Sequence, residues 1–286
     1  MKPQTFTECK NSSEAFLVSV IIPTLNSGKT LERCLKSIQN QNYKKIDVII
    51  VDAFSKDETR KIAEQLADKI FLLAEERSYA RNFGAKQAKG RFLFFVDSDM
   101  ELTPNVIAEC VNLCACKKAD AIIIPEETFG DGFLAECRKL EKRMRIKEFY
   151  GEAPRFFKKE VFQSVGGYDS NLVTGEDFEL AQRVYKAGFL IERCNAPIKH
   201  HEENLSLKQL VKKVYYYGKK LPAYIRKEPS LAFKTSSPLH FFKHISLLRK
   251  HPIHFTGLCF LKLIECFAYF AGASAYFLSK IPTKFW

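Results

Sequence analysis

Residues 91–100 read RFLFFVDSDM, a run of large apolar side chains that stops at two aspartates separated by one serine. An uninterrupted apolar run this short suits a strand buried on both faces of a parallel sheet, since a strand with one wet face would alternate. The same texture recurs on either side: FLVSVII at 16–22, IDVIIV at 46–51, KIFL at 69–72 and DAIII at 120–124. Between these runs lie segments 28–40, 56–67, 78–89 and 103–117, each long enough for a covering helix. Thr103-Pro104 reads as an N-cap followed by proline at the first helical position. Strands alternating with helices predict an α/β, doubly wound and mostly parallel sheet, in which ligands collect at the carboxyl ends of the strands.

That rule gives Asp97-Ser98-Asp99 its interest. Two carboxylates at the end of a buried strand suit a hard divalent cation, Mn²⁺ or Mg²⁺, with positions left open for phosphate oxygens. Such an ion would offset the charge of a leaving diphosphate. Taken alone, the same tripeptide reads first as a turn that caps a following helix, since such tripeptides are common. Two other strands run into candidate ligand-contacting residues: 16–22 into Pro23-Thr24-Leu25-Asn26, and 46–51 into Asp52. An acid in the position of Asp52 can accept hydrogen bonds from a base or ribose, or can cap the segment Ser55-Lys56-Asp57-Glu58. Arg81, in SYARNFG at 78–84, can hold a diphosphate by paired hydrogen bonds, or can form an ion pair.

Five segments stand in an order and spacing that closely resemble glycosyltransferase family 2 on the GT-A fold: SVIIPTLN (19–26), VDAFSKDET (51–59), ARNFGA (80–85), FFVDSDM (94–100) and GGYDSNLVTGEDFELAQRV (166–184). The match covers about residues 17–187. The resemblance implies a Rossmann-like GT-A domain that moves a sugar, with inversion, from a UDP- or GDP-sugar donor. It implies nucleoside contacts from Pro23, Thr24, Asn26 and Asp52, metal ligation by Asp97 and Asp99, and a catalytic base at Asp177. The Asp97-Ser98-Asp99 turn would hold the donor by its diphosphate with Arg81, and Glu176 would orient Asp177 or touch the acceptor. Helix-end acids are the alternative for Glu176-Asp177, since the helix dipole favours carboxylates there. Some GT-A enzymes add a downstream histidine to the metal, and His200 is the candidate; surface histidines are the alternative for His200-His201. Many family members carry two acids after the second strand, where this chain has Asp52-Ala53-Phe54.

Charge divides the chain unevenly. Residues 201–286 carry 14 Lys/Arg against 4 Asp/Glu, whereas the first 200 carry 31 against 29. A basic C-terminal third on a near-neutral body points to a polyanionic surface. SLKQLVKKVYYYGKKLPAYIRK at 206–227 interleaves lysine with tyrosine, as nucleic-acid binders do. Here it precedes FTGLCFLKLIECFAYFAGASAYFLS at 255–279, and that context favours an anionic membrane surface; no nucleic acid is expected. As a helix the apolar segment is long enough to span a bilayer, but Lys262 and Glu265 interrupt it, so an in-plane or packing helix competes with a span.

The expected organisation is a short lead at 1–15, a catalytic domain at 16–203 and a basic, helical, membrane-associating region at 204–286. A strand is expected at 190–198. The nine cysteines have no zinc-ligand spacing, and their odd number suggests reduced thiols on the cytoplasmic side. The sum is an enzyme at the cytoplasmic membrane face, peripheral or held by one C-terminal segment, acting on a lipid-linked or glycan acceptor. A polyprenyl-phosphate sugar synthase and an inactive basic binding module are the alternatives. A nucleotidyltransferase is disfavoured because no glycine-rich phosphate loop with an early lysine is present.

Overall fold

The computed structural model describes residues 16–130, 132–145, 152–201, 206–236 and 250–279. The expected lead at 1–15 and the basic residue Lys243 lie outside them. Strands β1 (Val18–Thr24), β2 (Ile46–Asp52), β3 (Lys69–Leu72) and β4 (Phe92–Phe95) are parallel and adjacent in the order β3-β2-β1-β4. The apolar runs are continuous because both faces are covered. Val18, Val20 and Ile22 face one core with helices α1 (Leu31–Gln39), α2 (Thr59–Leu66) and α4 (Val106–Cys116). Ile21, Ile49 and Val51 face the other, with α3 (Arg77–Gln87), α6 (Lys159–Ser164) and α7 (Glu176–Lys186).

Beyond β4 the sheet becomes mixed. The strand β8 (Pro154–Lys158) runs antiparallel to both β4 and β6 (Ala121–Ile123), and β9 (Ile191–Arg193) closes the edge parallel to β6. A second sheet has the order β5-β10-β7, formed by β5 (Met100–Leu102), β7 (Glu126–Phe129) and β10 (Ile198–His201). This α/β architecture, with a helical C-terminal extension, matches the expected fold class.

Four local expectations are corrected. Asp97-Ser98-Asp99 turns into β5, with Met100 N donating to Asp97 O, so it caps no helix. Asn105 is the N-cap of α4, because the Thr103 hydroxyl donates instead to Pro197 O at 2.8 Å. The segment 190–198 is two short strands in different sheets. Both carboxylate oxygens of Glu109 take the backbone N–H groups of Asn195 and Ala196, which breaks the ladder before Pro197. Seven described cysteines are free thiols, but Cys116 is disulfide-bonded.

Helix α8 (Leu207–Lys227), followed by α9 (Pro229–Ser236), straps the body. Tyr216 donates to Glu76 at 2.6 Å, and Lys227 pairs with Asp169 and Glu179. The long α10 (Pro252–Leu278) packs on α8 and on α5 (Phe133–Arg145). Tyr224 of α8 lies buried against Gly175, the residue before Glu176, which sits at φ 72°. A β-carbon there would stand 2.5 Å from the Tyr224 ring. Gly175→Ala should therefore cost about 1–3 kcal/mol, from left-handed strain and overpacking, and lower the thermal midpoint. Combined with Tyr224→Ala, its effect should be less than additive in a double-mutant cycle.

Candidate active site

The loops after β1, β2 and β4 meet at the carboxyl end of the sheet. Asp52 is fully buried: Oδ1 accepts from the Thr24 hydroxyl at 2.8 Å and Oδ2 from Ser55 N at 2.8 Å. Ser55 Oγ in turn accepts from Asn26 N at 2.7 Å, and Asn26 Oδ1 accepts from Lys56 N at 3.0 Å. Asn26 holds φ 50°, a conformation asparagine tolerates better than most residues. Asp52 thus knits the first two loops together, with Pro23 in register beside Val51. Its contacts are those of the capping alternative. Ser98 ties the third loop in by donating to Ser27 Oγ at 2.8 Å.

Beside these loops runs a row of alternating charges. Arg81, on α3 and 2% exposed, donates to Asp97 Oδ1 at 2.5 Å and to Glu176 Oε1 at 3.3 Å. Arg77 reaches the same Glu176 oxygen at 2.6 Å. On the other side of Asp97, Arg155 donates to Oδ2 at 3.2 Å and to Glu126 at 2.7 Å, and Lys142 donates to Glu126 at 3.1 Å. Burial alone would raise the Asp97 carboxyl; Arg81, then Arg155 and Arg77, overrule it and hold it well below the usual carboxylate range. Glu126 behaves alike: burial opposes ionisation, and Arg155 and Lys142 bring it down to about 2.

Asp99 meets the histidine proposed from sequence, with His200 Nε2 3.1 Å from its Oδ2. Burial disfavours charge on both partners, yet their contact lowers the Asp99 carboxyl and raises His200. Asp99 Oδ1 is buried without a hydrogen bond. That orphaned oxygen beside an imidazole has the chemistry of a divalent-cation site. Among the described residues, however, no three acidic, histidine or cysteine side chains converge on one point, because Asp97 is held by its arginines. His201, pointing the opposite way as strand alternation requires, pairs with Glu101 at 2.7 Å.

Asp177 begins α7 at the rim of a cavity of about 270 Å³, shared with Arg81, Glu126, Arg155 and Tyr168. Burial first, then the neighbouring Glu176, push its carboxyl up to about 6, against the pull of Arg155 and Arg77. Glu176, 2% exposed, faces the arginines instead of the cavity. Arg77, Glu126, Lys142 and Arg155 have no counterpart among the residues singled out from sequence. Arg155 lies near the start of β8, and the antiparallel pairing of that strand with β4 brings it to Asp97.

With this geometry in hand, known proteins give a consistent picture. The model of the family described as glycosyl transferase family 2 matches residues 19–164, and that described as the N-terminal domain of galactosyltransferase matches 131–204. Among curated relatives, Glycosyltransferase AglE of Haloferax volcanii is 29% identical over 71% of this chain and 72% of its own length. The GalNAc(5)-diNAcBac-PP-undecaprenol beta-1,3-glucosyltransferase of Campylobacter jejuni is also 29% identical, over 51% of this chain and 53% of its own. Among solved structures, the mannosyltransferase PcManGT from Pyrobaculum calidifontis, in complex with GDP-Man and Mn²⁺, is similar at a TM-score of 0.59. At 19% identity it covers 94% of this chain and 89% of its own, and it shares the GT-A fold. Just over half of the chain falls within the first family model, and the acidic turn after β4 lies inside that match. The chain therefore belongs to glycosyl transferase family 2 and is a glycosyltransferase.

Proposed function

We propose that this chain transfers a sugar, with inversion, from a UDP- or GDP-sugar to a hydroxyl of a lipid-linked glycan at the cytoplasmic face of a membrane. The observation that carries this reading is Asp177: a carboxyl raised to about 6, lining a cavity with Arg81 and Arg155. A buried base near neutrality can accept a proton from an acceptor hydroxyl as that oxygen attacks the anomeric carbon. A phosphate acceptor is already anionic and needs no such base, which disfavours a polyprenyl-phosphate synthase. The relative named for an undecaprenol-linked substrate supports the lipid carrier, and the neighbour holding GDP-Man supports a nucleotide-sugar donor.

In this reading residues 16–203 form the catalytic part. Pro23, Thr24 and Asn26 line the nucleoside side of the crevice, and Asp52 holds their loops in place. Arg81 keeps Asp97 ionised and oriented, with Ser98 fixing the turn against Ser27. Asp99, through its orphaned Oδ1, and His200 would hold a divalent cation, Mn²⁺ as in the PcManGT complex or Mg²⁺, and Asp97 would join them on turning from Arg81 and Arg155. When bound, such an ion neutralises the leaving diphosphate. Arg155 and Arg81 add positive charge on the same side. Glu176, clamped by Arg77 and Arg81, sets the backbone from which Asp177 projects.

Donor hydrolysis, read as released UDP or GDP with Mn²⁺ or Mg²⁺ supplied, should fall by roughly 10²–10³ in Asp99→Ala and in Asp97→Ala. Activity that survives both changes, or that needs no added ion, would refute the donor site. The pH profile gives an independent check. The base must be ionised, so kcat/KM for transfer should decline as pH falls through about 6, where Asp177 takes up its proton among Glu176, Arg155, Arg77, Arg81 and Tyr168. Asp177→Asn should erase that limb and lower the rate by roughly 10²–10⁴. An unchanged profile in the variant would remove Asp177 from the role of base.

A further inference from the structure

Helix α10 is 27 residues long, and by length and composition it could cross a membrane. Its packing says otherwise. The charges that interrupt it, Lys262 and Glu265, face α5: Lys262 Nζ stands 2.6 Å from Glu141 Oε1, and Glu265, 7% exposed, takes a hydrogen bond from Arg138. Near its start, Gly257 lies against Phe133 and Cys137 of α5. Further on, a β-carbon at Gly272 would meet Tyr215 O at 2.3 Å, and one at Gly218 would meet Tyr269 O at 2.5 Å, so α8 and α10 touch backbone to backbone. From 257 to 272 the helix is bolted to two highly charged helices. A span would drag those charges into hydrocarbon, where they are costly.

The opposite side of α10 is different. Ile253, Phe260, Leu263, Phe267, Phe270 and Phe277 are 58–75% exposed and repeat at spacings of seven, three, four, three and seven. No charged residue of α10 shares that face, since its two charges turn toward α5. A second copy docking through such a repeat would use charged flanks for register, and α10 has none. The neighbouring α8 instead presents Lys212, Lys219 and Arg226, exposed and seven residues apart, a basic stripe suited to anionic headgroups.

We propose that α10 lies in the membrane plane, seated by its phenylalanine stripe at the headgroup boundary, with α8 on the anionic headgroups. This rests on the membrane part of the function proposed above and is independent of the chemistry. It sharpens the acceptor class. Arg138 and Glu141, which clamp α10, also line the Asp177 cavity. That cavity then opens beside the bilayer, within reach of an acceptor sugar whose tether remains in lipid.

The test uses the full chain with Trp286→Phe, which removes the single native tryptophan, and one tryptophan placed in turn at Phe260, Phe270 and Phe277. The probe is a vesicle of phosphatidylcholine and phosphatidylglycerol carrying lipids brominated at successive acyl depths. Three equal, shallow depths are expected; a gradient along the helix would overturn the in-plane seat. Phe267→Glu with Phe270→Glu should cut vesicle binding at least about tenfold, while donor hydrolysis in solution is unchanged. A lipid-free dimer that the double substitution dissolves would make the stripe a contact between copies and sink the proposal. Absence of vesicle binding by the unaltered chain would remove both this seat and the membrane assignment, leaving the donor chemistry standing. Donor hydrolysis that survives in Asp99→Ala, with vesicle binding by the unaltered chain intact, would refute the donor chemistry alone and leave this seat standing.

Discussion

The Asp97 carboxylate, held between Arg81 and Arg155, is the interaction on which the site depends. A carboxylate closing a buried strand loses hydration, and only close opposite charge keeps it ionised. Neither arginine belongs to Asp97 alone: Arg81 is shared with Glu176, and Arg155 with Glu126, which also holds Lys142. The result is an alternating row that joins α3, the end of β4, β8, β7, α5 and α7. Removing one member would leave its neighbours uncompensated in a low-dielectric site, which costs far more than loss of an exposed ion pair. The row also explains why Asp177 stands apart. Glu176 takes Arg77 and Arg81, and its negative charge adds to burial in raising Asp177. Two adjacent carboxylates thereby sit in different surroundings, Glu176 clamped between two arginines and Asp177 raised to about 6 beside the cavity.

The fold was legible to the extent that it follows from hydrophobic pattern. The runs at 16–22, 46–51 and 91–96 become β1, β2 and β4 because both of their faces are covered, so continuity alone identified them. Asp97, Asp99 and Asp177 stood out in the sequence because they follow a buried strand or open a helix, and because their spacing resembles a known pattern. Arg155 did not, since an arginine opening an antiparallel strand gives no local sign of which carboxylate it will meet. The strand expected at 190–198 failed for a similar reason. Its interruption comes from Glu109, some 86 residues away, which captures the N–H groups of Asn195 and Ala196. Long-range competition for backbone donors leaves no trace in a periodicity.

Asp52 shows the converse. Its position at the end of β2 suggested a ligand contact, whereas its carboxylate is saturated by Thr24 and Ser55. A group so enclosed shapes the loop that carries Asn26, whose N–H is held by Ser55 Oγ, and a position can matter to binding without direct contact. Ala53 and the exposed Phe54 that follow Asp52 add no second carboxylate there.

The C-terminal helices bring the same lesson to hydropathy. Counting residues along 255–279 treats a helix as uniform around its axis, and on that count Lys262 and Glu265 weigh against a span without saying which face they occupy. In three dimensions they lie on the face shared with α5, where Glu141 and Arg138 neutralise them. The remaining face carries no charge and is dominated by Ile253, Phe260, Leu263, Phe267, Phe270 and Phe277. What reads along the chain as a flawed membrane span is in space a helix divided lengthwise, charged and glycine-lined toward the protein, aromatic away from it. Such a division suits a surface better than a crossing, because a crossing asks for an apolar exterior all round and at this length offers no place for α5 and α8. The ion pairs that anchor α10 are made by Arg138 and Glu141, which also wall the Asp177 cavity, so the helix proposed to meet the membrane and the cavity proposed to take the acceptor share those two residues.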